Sequence, residues 1–200
     1  MRRQLTAGLL VVLAAAWSAG AAAGEQAAQA SSRQVPAGKE TVPGLSLTAK
    51  EAYDKWKAEP EKVKILDVRT PEEYLFVGHP AMAWNIPLLV QTYQWDAGKR
   101  TLPMKPNPDF ISRVNEVFKP TDTILVICRS GGRSAQAVNQ LAEIGFRNVY
   151  SIVDGMEGDT VADPASVFDG KRMKNGWKNS GLPWTCDVDP DRMLLPANPK

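Results

Sequence analysis

The chain has 200 residues, of which 44% are hydrophobic and 23% are charged, and this composition is typical of one globular domain with a sizeable core. Its formal charge is +2, and the charge falls to 0 when Arg2 and Arg3 are left out. Because no basic block or basic stripe remains, the composition argues against a nucleic-acid partner.

The first residues have the pattern of an export signal. Arg2 and Arg3 precede the apolar run Leu9–Trp17, and small residues at 21–23 fit a cleavage site. We expect residues 1–23 to be a signal peptide, and the mature protein to be periplasmic or secreted, without membrane contact after cleavage. A membrane anchor is the alternative, but the apolar run is shorter than the ~20 residues of a spanning helix.

The next segment has a different composition. Residues 24–44 are rich in Ala, Gln, Ser, Gly and Pro and show no apolar period, so they predict a flexible linker. We place the folded domain at residues 45–184 and a C-terminal surface tail at residues 185–200.

Helices and strands are predicted to alternate through this domain. Thr48 and Glu51 have the spacing of a capping box, and Thr70 followed by Pro71 is typical of a helix start. The predicted helices cover residues 48–59, 70–77, 88–93, 108–118, 133–144 and 174–179, and the predicted strands cover 63–68, 83–87, 123–127 and 149–153. This order predicts an α/β fold, with a small parallel sheet and helices on both faces.

Cys128 stands at the end of the most apolar run of the mature chain, Thr123–Ile127, and a short loop with two glycines follows it. Reactive groups of α/β sheets gather at the carboxyl ends of the strands. The glycines let successive N–H groups turn inward, and these donors, a helix N-terminus and two arginines favour a thiolate. A buried core cysteine is the alternative, which the surrounding Arg-Ser-Gly-Gly-Arg-Ser sequence disfavours.

Five segments of the chain resemble the rhodanese-like family, in the order in which that family carries them. They are Leu66–Tyr74, Gly78–Pro87, Cys128–Ser134, Asp154–Met156 and Gly176–Pro183. The resemblance implies a sulfurtransferase in which Cys128 takes a sulfane sulfur as a persulfide and passes it to a thiophilic acceptor such as cyanide or a thiol. The implied partners are therefore a small anionic sulfur donor and such an acceptor, with a protein partner possible and no cofactor or metal.

The resemblance also assigns roles to the residues around Cys128. The substrate-binding residues would be Arg129, Ser130, Gly131, Gly132, Arg133 and Ser134. The two arginines would orient an anionic donor such as thiosulfate, and the backbone between them would form the cradle. Asp67 and Arg69 stand at the end of an earlier strand, which could bring them beside the loop as supporting residues; an ion pair that braces neighbouring loops is the favoured expectation. Ser134 could contact the substrate, but the favoured role of its hydroxyl is at the start of the helix.

The spacing of the loop separates sulfur transfer from phosphate chemistry. Arg133 lies five positions after Cys128, which gives C-x4-R, whereas related phosphatases carry C-x5-R. The position that a phosphatase fills with arginine holds Ser134, which cannot supply a bidentate positive clamp. Sulfur transfer is therefore favoured.

Several features remain open at this level. Residues 91–107 are either part of a substrate rim or a plain surface loop. Residues 159–174 are an insertion that covers the active-site mouth, contacts a partner or does neither, and the sequence does not distinguish these roles. His79 lies in a Gly-His-Pro turn and is expected to be structural. Cys186 either pairs with Cys128 or is a solitary exposed thiol. Two other functions therefore stay open: a non-enzymatic binding module, and a thiol redox partner.

Overall fold

A computed structural model describes residues 34–193. The predicted signal peptide at 1–23, the first part of the predicted linker and the last seven residues lie outside this range. Within it, no helix combines the length and apolar character needed to cross a membrane.

Helices and parallel strands alternate along the described chain. The helices are α1 (Ala49–Ala58), α2 (Pro71–Val77), α3 (Phe110–Val117) and α4 (Gly132–Glu143), with a 3-10 turn at Pro190–Arg192. The strands are β1 (Ser46–Leu47), β2 (Val63–Asp67), β3 (Ala83–Asn85), β4 (Leu89–Gln91), β5 (Met104–Pro106), β6 (Thr123–Ile127) and β7 (Asn148–Ile152). Five of these strands form a parallel sheet in the order β1-β7-β6-β2-β3. The predicted α/β class and parallel sheet are confirmed.

The two predicted helix starts have the expected caps. Thr48 and Thr70 each accept a hydrogen bond from the third residue of their helix, Glu51 and Glu73, and each of these glutamates binds back to the cap. These reciprocal bonds satisfy N–H groups that a helix start would leave without partners.

The main hydrophobic core lies between the sheet and the helices α3 and α4. Alternate residues of the central strands, Leu66, Ile124, Val126 and Val149, pack there against Val114, Leu141 and their neighbours. The intervening residues point to the other face of the sheet because side chains alternate along a strand. Helix α1 packs against β1 and β2. Cys128 follows β6 directly and therefore lies at the carboxyl edge of the sheet.

The helix predicted at 88–93 is wrong. Leu89–Gln91 instead form β4, which pairs antiparallel with β5 and makes a hairpin within the predicted 91–107 loop. The three-residue apolar run Leu88–Val90 fits a helix turn or a strand equally well. The partner strand carries lysine and proline, so its sequence does not look like a strand.

The helix predicted at 174–179 is also absent, and turns occupy this segment. Gly176 has φ +96°, and its N–H donates to the Asp154 carboxylate. The N–H groups of Trp177 and Lys178 donate to Gly155 O and Met156 O. The N–H groups of these three residues are therefore bound to the turn after β7, and only isolated turn bonds, such as Ser180 N to Gly176 O, form within the segment.

Both ends of the described chain contact the domain. Lys39 and Val42 of the predicted linker make hydrogen bonds to Val153 and Asn139. At the other end Thr185 forms a β-bridge with His79. Part of the predicted linker therefore contacts the folded domain in this structure.

Candidate active site

Cys128 lies in a cradle made by the loop that joins β6 to α4. Its side chain is 1% exposed, and the Gly131 N–H donates to Sγ at 3.2 Å. Gly131 has φ +103°, a conformation that glycine adopts without strain. A side chain there would also collide with Val153 O, 2.2 Å from the ideal Cβ position. The sulfur also lies near the start of α4, where N–H groups lack helical partners and favour negative charge.

The turn after β7 holds the loop from outside. Met156 N donates to Cys128 O at 2.8 Å, and Glu157 N donates to Arg129 O at 2.9 Å. Gly155 permits this approach, because a Cβ on it would lie 2.6 Å from Cys128 O. The backbone of the loop is thus fixed on both sides of the cysteine.

Ser134 faces the sulfur from the first turn of α4. Its buried hydroxyl lies 3.5 Å from Cys128 Sγ and donates to Gly131 O at 2.9 Å. It does not cap the helix, because α4 begins at Gly132 and no side-chain cap hydrogen bond forms at its N-cap, Gly131. Ser151 on β7 donates to Ser134 Oγ at 3.2 Å. The hydroxyl of Ser134 therefore contacts the sulfur, and the hydroxyl of Ser151 contacts that of Ser134.

Arg133 is engaged with a residue that the sequence analysis did not assign to the site. Its two Nη atoms bind the two carboxylate oxygens of Glu73 at 2.6 Å each, and its side chain is 12% exposed. The arginine fork predicted to receive a donor anion is thus occupied by Glu73. Arg133 therefore braces the loop against α2.

Burial raises the pKa of the Glu73 carboxyl, but the bonds and charge of Arg133 outweigh it and bring this pKa below its ordinary value. Burial likewise opposes the charge of Arg133, yet Glu73 raises the pKa of that guanidinium. Both groups are therefore charged at neutral pH. In the sequence Glu73 lay within the family-like segment Leu66–Tyr74, but nothing there pointed to a contact with the Cys128 loop.

Asp67 and Arg69 form the predicted ion pair. Both side chains are fully buried, and Arg69 Nη2 lies 2.6 Å from Asp67 Oδ2 and 2.8 Å from Gly78 O. Burial works against the charge on Arg69, but Asp67 prevails and raises the pKa of Arg69. Arg69 also adds positive charge near Glu73. The pair therefore fixes the end of β2 beside α2, and through Glu73 it connects to the loop.

The remaining predicted loop residues lie more openly. Arg129 is half exposed and makes a loose ion pair with Glu157 at 3.3 Å. Ser130 and Gly132 are partly exposed, and the space around a Cβ on Gly132 is empty. Arg129 is thus the loop arginine that stands available to an incoming anion.

The other candidates lie apart from the cradle. His79 stacks on Tyr74, with ring centres 3.4 Å apart, and its Nδ1 binds Tyr74 O. Burial lowers the pKa of this imidazole. Cys186 is exposed, and both cysteines are free thiols. Across residues 34–193, His, Cys, Asp and Glu side chains form no group of three that could hold a metal ion.

The fold and the loop define an α/β protein that presents a cradled cysteine at the carboxyl edge of a parallel sheet. Comparison with known families makes this class specific, because the model of the Rhodanese-like domain matches residues 48–160. The chain therefore belongs to the rhodanese-like domain family, as its motifs predicted.

Individual relatives agree with this assignment. The chain is 40% identical over 92 residues to thiosulfate sulfurtransferase 16, chloroplastic, of Arabidopsis thaliana, across 46% of this chain and 69% of that protein. It is 34% identical over 120 residues to the uncharacterized protein RP600 of Rickettsia prowazekii, across 60% and 80% of the two chains. The crystal structure of Rv0390 from M. tuberculosis superposes with a TM-score of 0.56 at 25% identity, over 71% and 97% of the chains.

Proposed function

We propose that this protein is an exported sulfurtransferase that moves a sulfane sulfur from an anionic donor, such as thiosulfate, to a thiophilic acceptor through a Cys128 persulfide. The observation that carries the proposal is the hydrogen bond from the Gly131 N–H to Cys128 Sγ at the start of α4. An N–H aimed at a sulfur stabilises a thiolate, which is the nucleophilic form of cysteine.

The proposed reaction has two displacement steps. In the first, the Cys128 thiolate attacks the outer sulfur of thiosulfate; the S–S bond of the donor breaks, and sulfite leaves with the electron pair. In the second, cyanide or a thiolate attacks the outer persulfide sulfur, and Cys128 leaves as a thiolate again. Charge and electrons balance in each step, and neither step requires an external oxidant.

The enclosure of the sulfur fits a slender donor. Cys128 is 1% exposed, so the reacting atom of the donor must enter the cradle while its charged end stays outside. Arg129 is half exposed at that rim and suits sulfonate-type oxygens. The proposed donor is therefore a small molecule with a terminal sulfane sulfur and an anionic end.

The test uses thiosulfate with cyanide as acceptor and compares the wild type with Cys128→Ser and Cys186→Ser. We expect Cys128→Ser to fall to the background rate and Cys186→Ser to keep the wild-type rate. Intact mass after incubation with thiosulfate, and separately with mercaptopyruvate, is expected to show a one-sulfur adduct that depends on Cys128.

Three outcomes would count against the proposal. Equal activity in the wild type and Cys128→Ser would remove the persulfide. Absence of any sulfur adduct with both donors would favour a binding module without catalysis. Loss of activity in Cys186→Ser, with a Cys128–Cys186 disulfide in non-reducing peptide maps, would favour a thiol redox partner.

The proposed export has its own test. The mature protein recovered from a periplasmic or culture-medium fraction is expected to begin at Gly24. Recovery of the full-length chain with the cytoplasmic fraction alone would contradict export, and it would leave the chemistry of Cys128 unaffected.

A further inference from the structure

Lys39 lies in the segment before β1, ahead of the residues 48–160 that match the family. Its side chain is only 16% exposed, although its neighbours in this segment are largely exposed. Its Nζ donates to Val153 O at 3.0 Å and forms an ion pair with Asp159 Oδ1 at 2.7 Å. Lys39 thus joins the N-terminal segment to both the end of β7 and the start of the insertion.

The stem of Lys39 lies directly behind the loop that carries Cys128. A Cβ built on Gly131 would be 2.8 Å from Lys39 Cδ and 2.2 Å from Val153 O, the oxygen to which Lys39 donates. These two groups therefore form the wall behind Gly131. The N–H of Gly131 donates to Cys128 Sγ, so the position of Gly131 determines this hydrogen bond. Lys39 and Val153 therefore contact the residue that sets the bond.

Asp159 secures the other side of Lys39. Its carboxylate also accepts from Asn175 Nδ2 at 3.0 Å, and its N–H donates to Asn175 Oδ1 at 2.7 Å. Burial would raise the pKa of Asp159, but the bonds from Lys39 and Asn175 outweigh it and lower that pKa. The insertion therefore starts from a fixed, charged anchor, and Lys39 is part of that anchor.

We propose that Lys39 is a positioning residue for Cys128: by clamping Val153 to Asp159, it holds Gly131 so that its N–H points at the sulfur. The sulfur-transfer part of this inference rests on the proposed function, whereas the effect on the Cys128 thiolate does not. The segment before the family domain and the insertion after β7 then act together on the loop.

The chain offers a matched control for this ion pair. Lys64 Nζ lies 2.7 Å from Asp122 Oδ2, with side-chain exposures of 32% and 18%. This pair joins β2 to the residue before β6, and it lies toward the amino ends of those strands, away from the cradle. Lys39→Met and Lys64→Met both keep an unbranched stem and lose the charge, so they differ in position rather than in chemistry.

The experiment measures the rate at which iodoacetamide alkylates Cys128 in the full chain carrying Cys186→Ser, so that only Cys128 reports. We expect Lys39→Met to slow this rate about tenfold, because the hydrogen bond from the Gly131 N–H to the Cys128 thiolate weakens. Lys64→Met should leave the rate unchanged. Lys39→Arg should restore most of it, and the thiosulfate-to-cyanide rate should follow the same order.

Each outcome decides the proposal. An unchanged alkylation rate in Lys39→Met, with a lowered melting temperature, would make Lys39 purely structural and overturn it. An equal loss in Lys64→Met would overturn it as well, because general destabilisation would then explain both. If the wild type transfers no sulfur, the proposed function fails, and the alkylation rates still decide the role of Lys39.

Discussion

Replacing Glu73 by glutamine would remove the charge that holds Arg133 while keeping the shape of the side chain. A glutamine can still serve the capping box with Thr70, because its amide oxygen accepts the cap N–H. The substitution therefore isolates the ion pair between α2 and the Cys128 loop.

The expected cost follows from the burial of the pair. Glu73 and Arg133 are 22% and 12% exposed, and two bonds of 2.6 Å join them. Removing one partner of a buried pair costs about 3–5 kcal/mol, whereas exposed pairs contribute about 1 kcal/mol or less. We expect a loss of about 3 kcal/mol because the pair is largely but not fully buried. In a domain of this size that lowers the melting temperature by about 6–12 °C.

The pH dependence gives the same prediction a second readout. The folded-state pKa of Glu73 lies below its unfolded value of 4.5, so the stability from the ion pair is fully present above that pH. It is lost as the pH falls through the folded-state pKa. Urea unfolding at neutral pH and on acidification is therefore expected to show a gap between the wild type and Glu73→Gln that closes in acid.

Glu72→Gln provides the control one residue earlier. Glu72 accepts a hydrogen bond from the Tyr93 hydroxyl on the exposed hairpin, and a glutamine can still accept it, so this variant should lose much less stability than Glu73→Gln. Equal losses of stability in the two variants would contradict a special role for the ion pair of Glu73 with Arg133. A gap between wild type and Glu73→Gln that persists unchanged well below pH 4.5, the unfolded value, would contradict it as well.

Two further predictions concern the wall of the cradle. Ser151→Ala removes the donor to Ser134, so Cys128 alkylation should slow a few-fold. Ser46→Ala, on the adjoining strand, removes a buried hydroxyl that has no partner in the described chain, so it should leave the alkylation rate of Cys128 unchanged. Equal alkylation rates in Ser151→Ala and Ser46→Ala would contradict a role for the Ser151 hydroxyl. Gly155→Ala places a Cβ 2.6 Å from the Cys128 carbonyl at φ +61° and should cost about 2 kcal/mol or more in thermal unfolding. Gly132→Ala meets nothing within 4 Å, and a comparable loss there would refute the steric argument.

The sequence predicted the features that depend on neighbouring residues. The capping box at Thr48, the N-cap at Thr70, the strand at Thr123–Ile127 and the helix after Cys128 are encoded within a few positions, and all of them occur. The two-residue strand β1 and the hairpin β4–β5 were not predicted, because their pairing partners lie elsewhere in the chain and their own patterns are too short to show a period.

The same distinction applies to the site. Cys128 and its loop follow from a local motif, whereas Glu73 and Lys39 act through contacts 60 and 114 residues away. The sheet order could have pointed to Glu73, because β2 and β6 are neighbours and α2 starts shortly after β2 ends. Lys39 carried no such indication, because a lysine in a polar, proline-containing segment is usually solvated.

The one-residue difference between C-x4-R and C-x5-R acquires a structural meaning in this loop. Successive residues of a helix point about 100° apart, so the spacing decides which side chain of α4 faces the sulfur. Here the buried Ser134 faces Sγ at 3.5 Å, and Arg133 turns outward to Glu73. The sulfur therefore meets the Gly131 N–H and a neutral hydroxyl, while the Arg133 guanidinium is paired with Glu73. A phosphoryl group would lack a bidentate arginine clamp in this loop, whereas a thiolate needs only hydrogen-bond donors such as the Gly131 N–H.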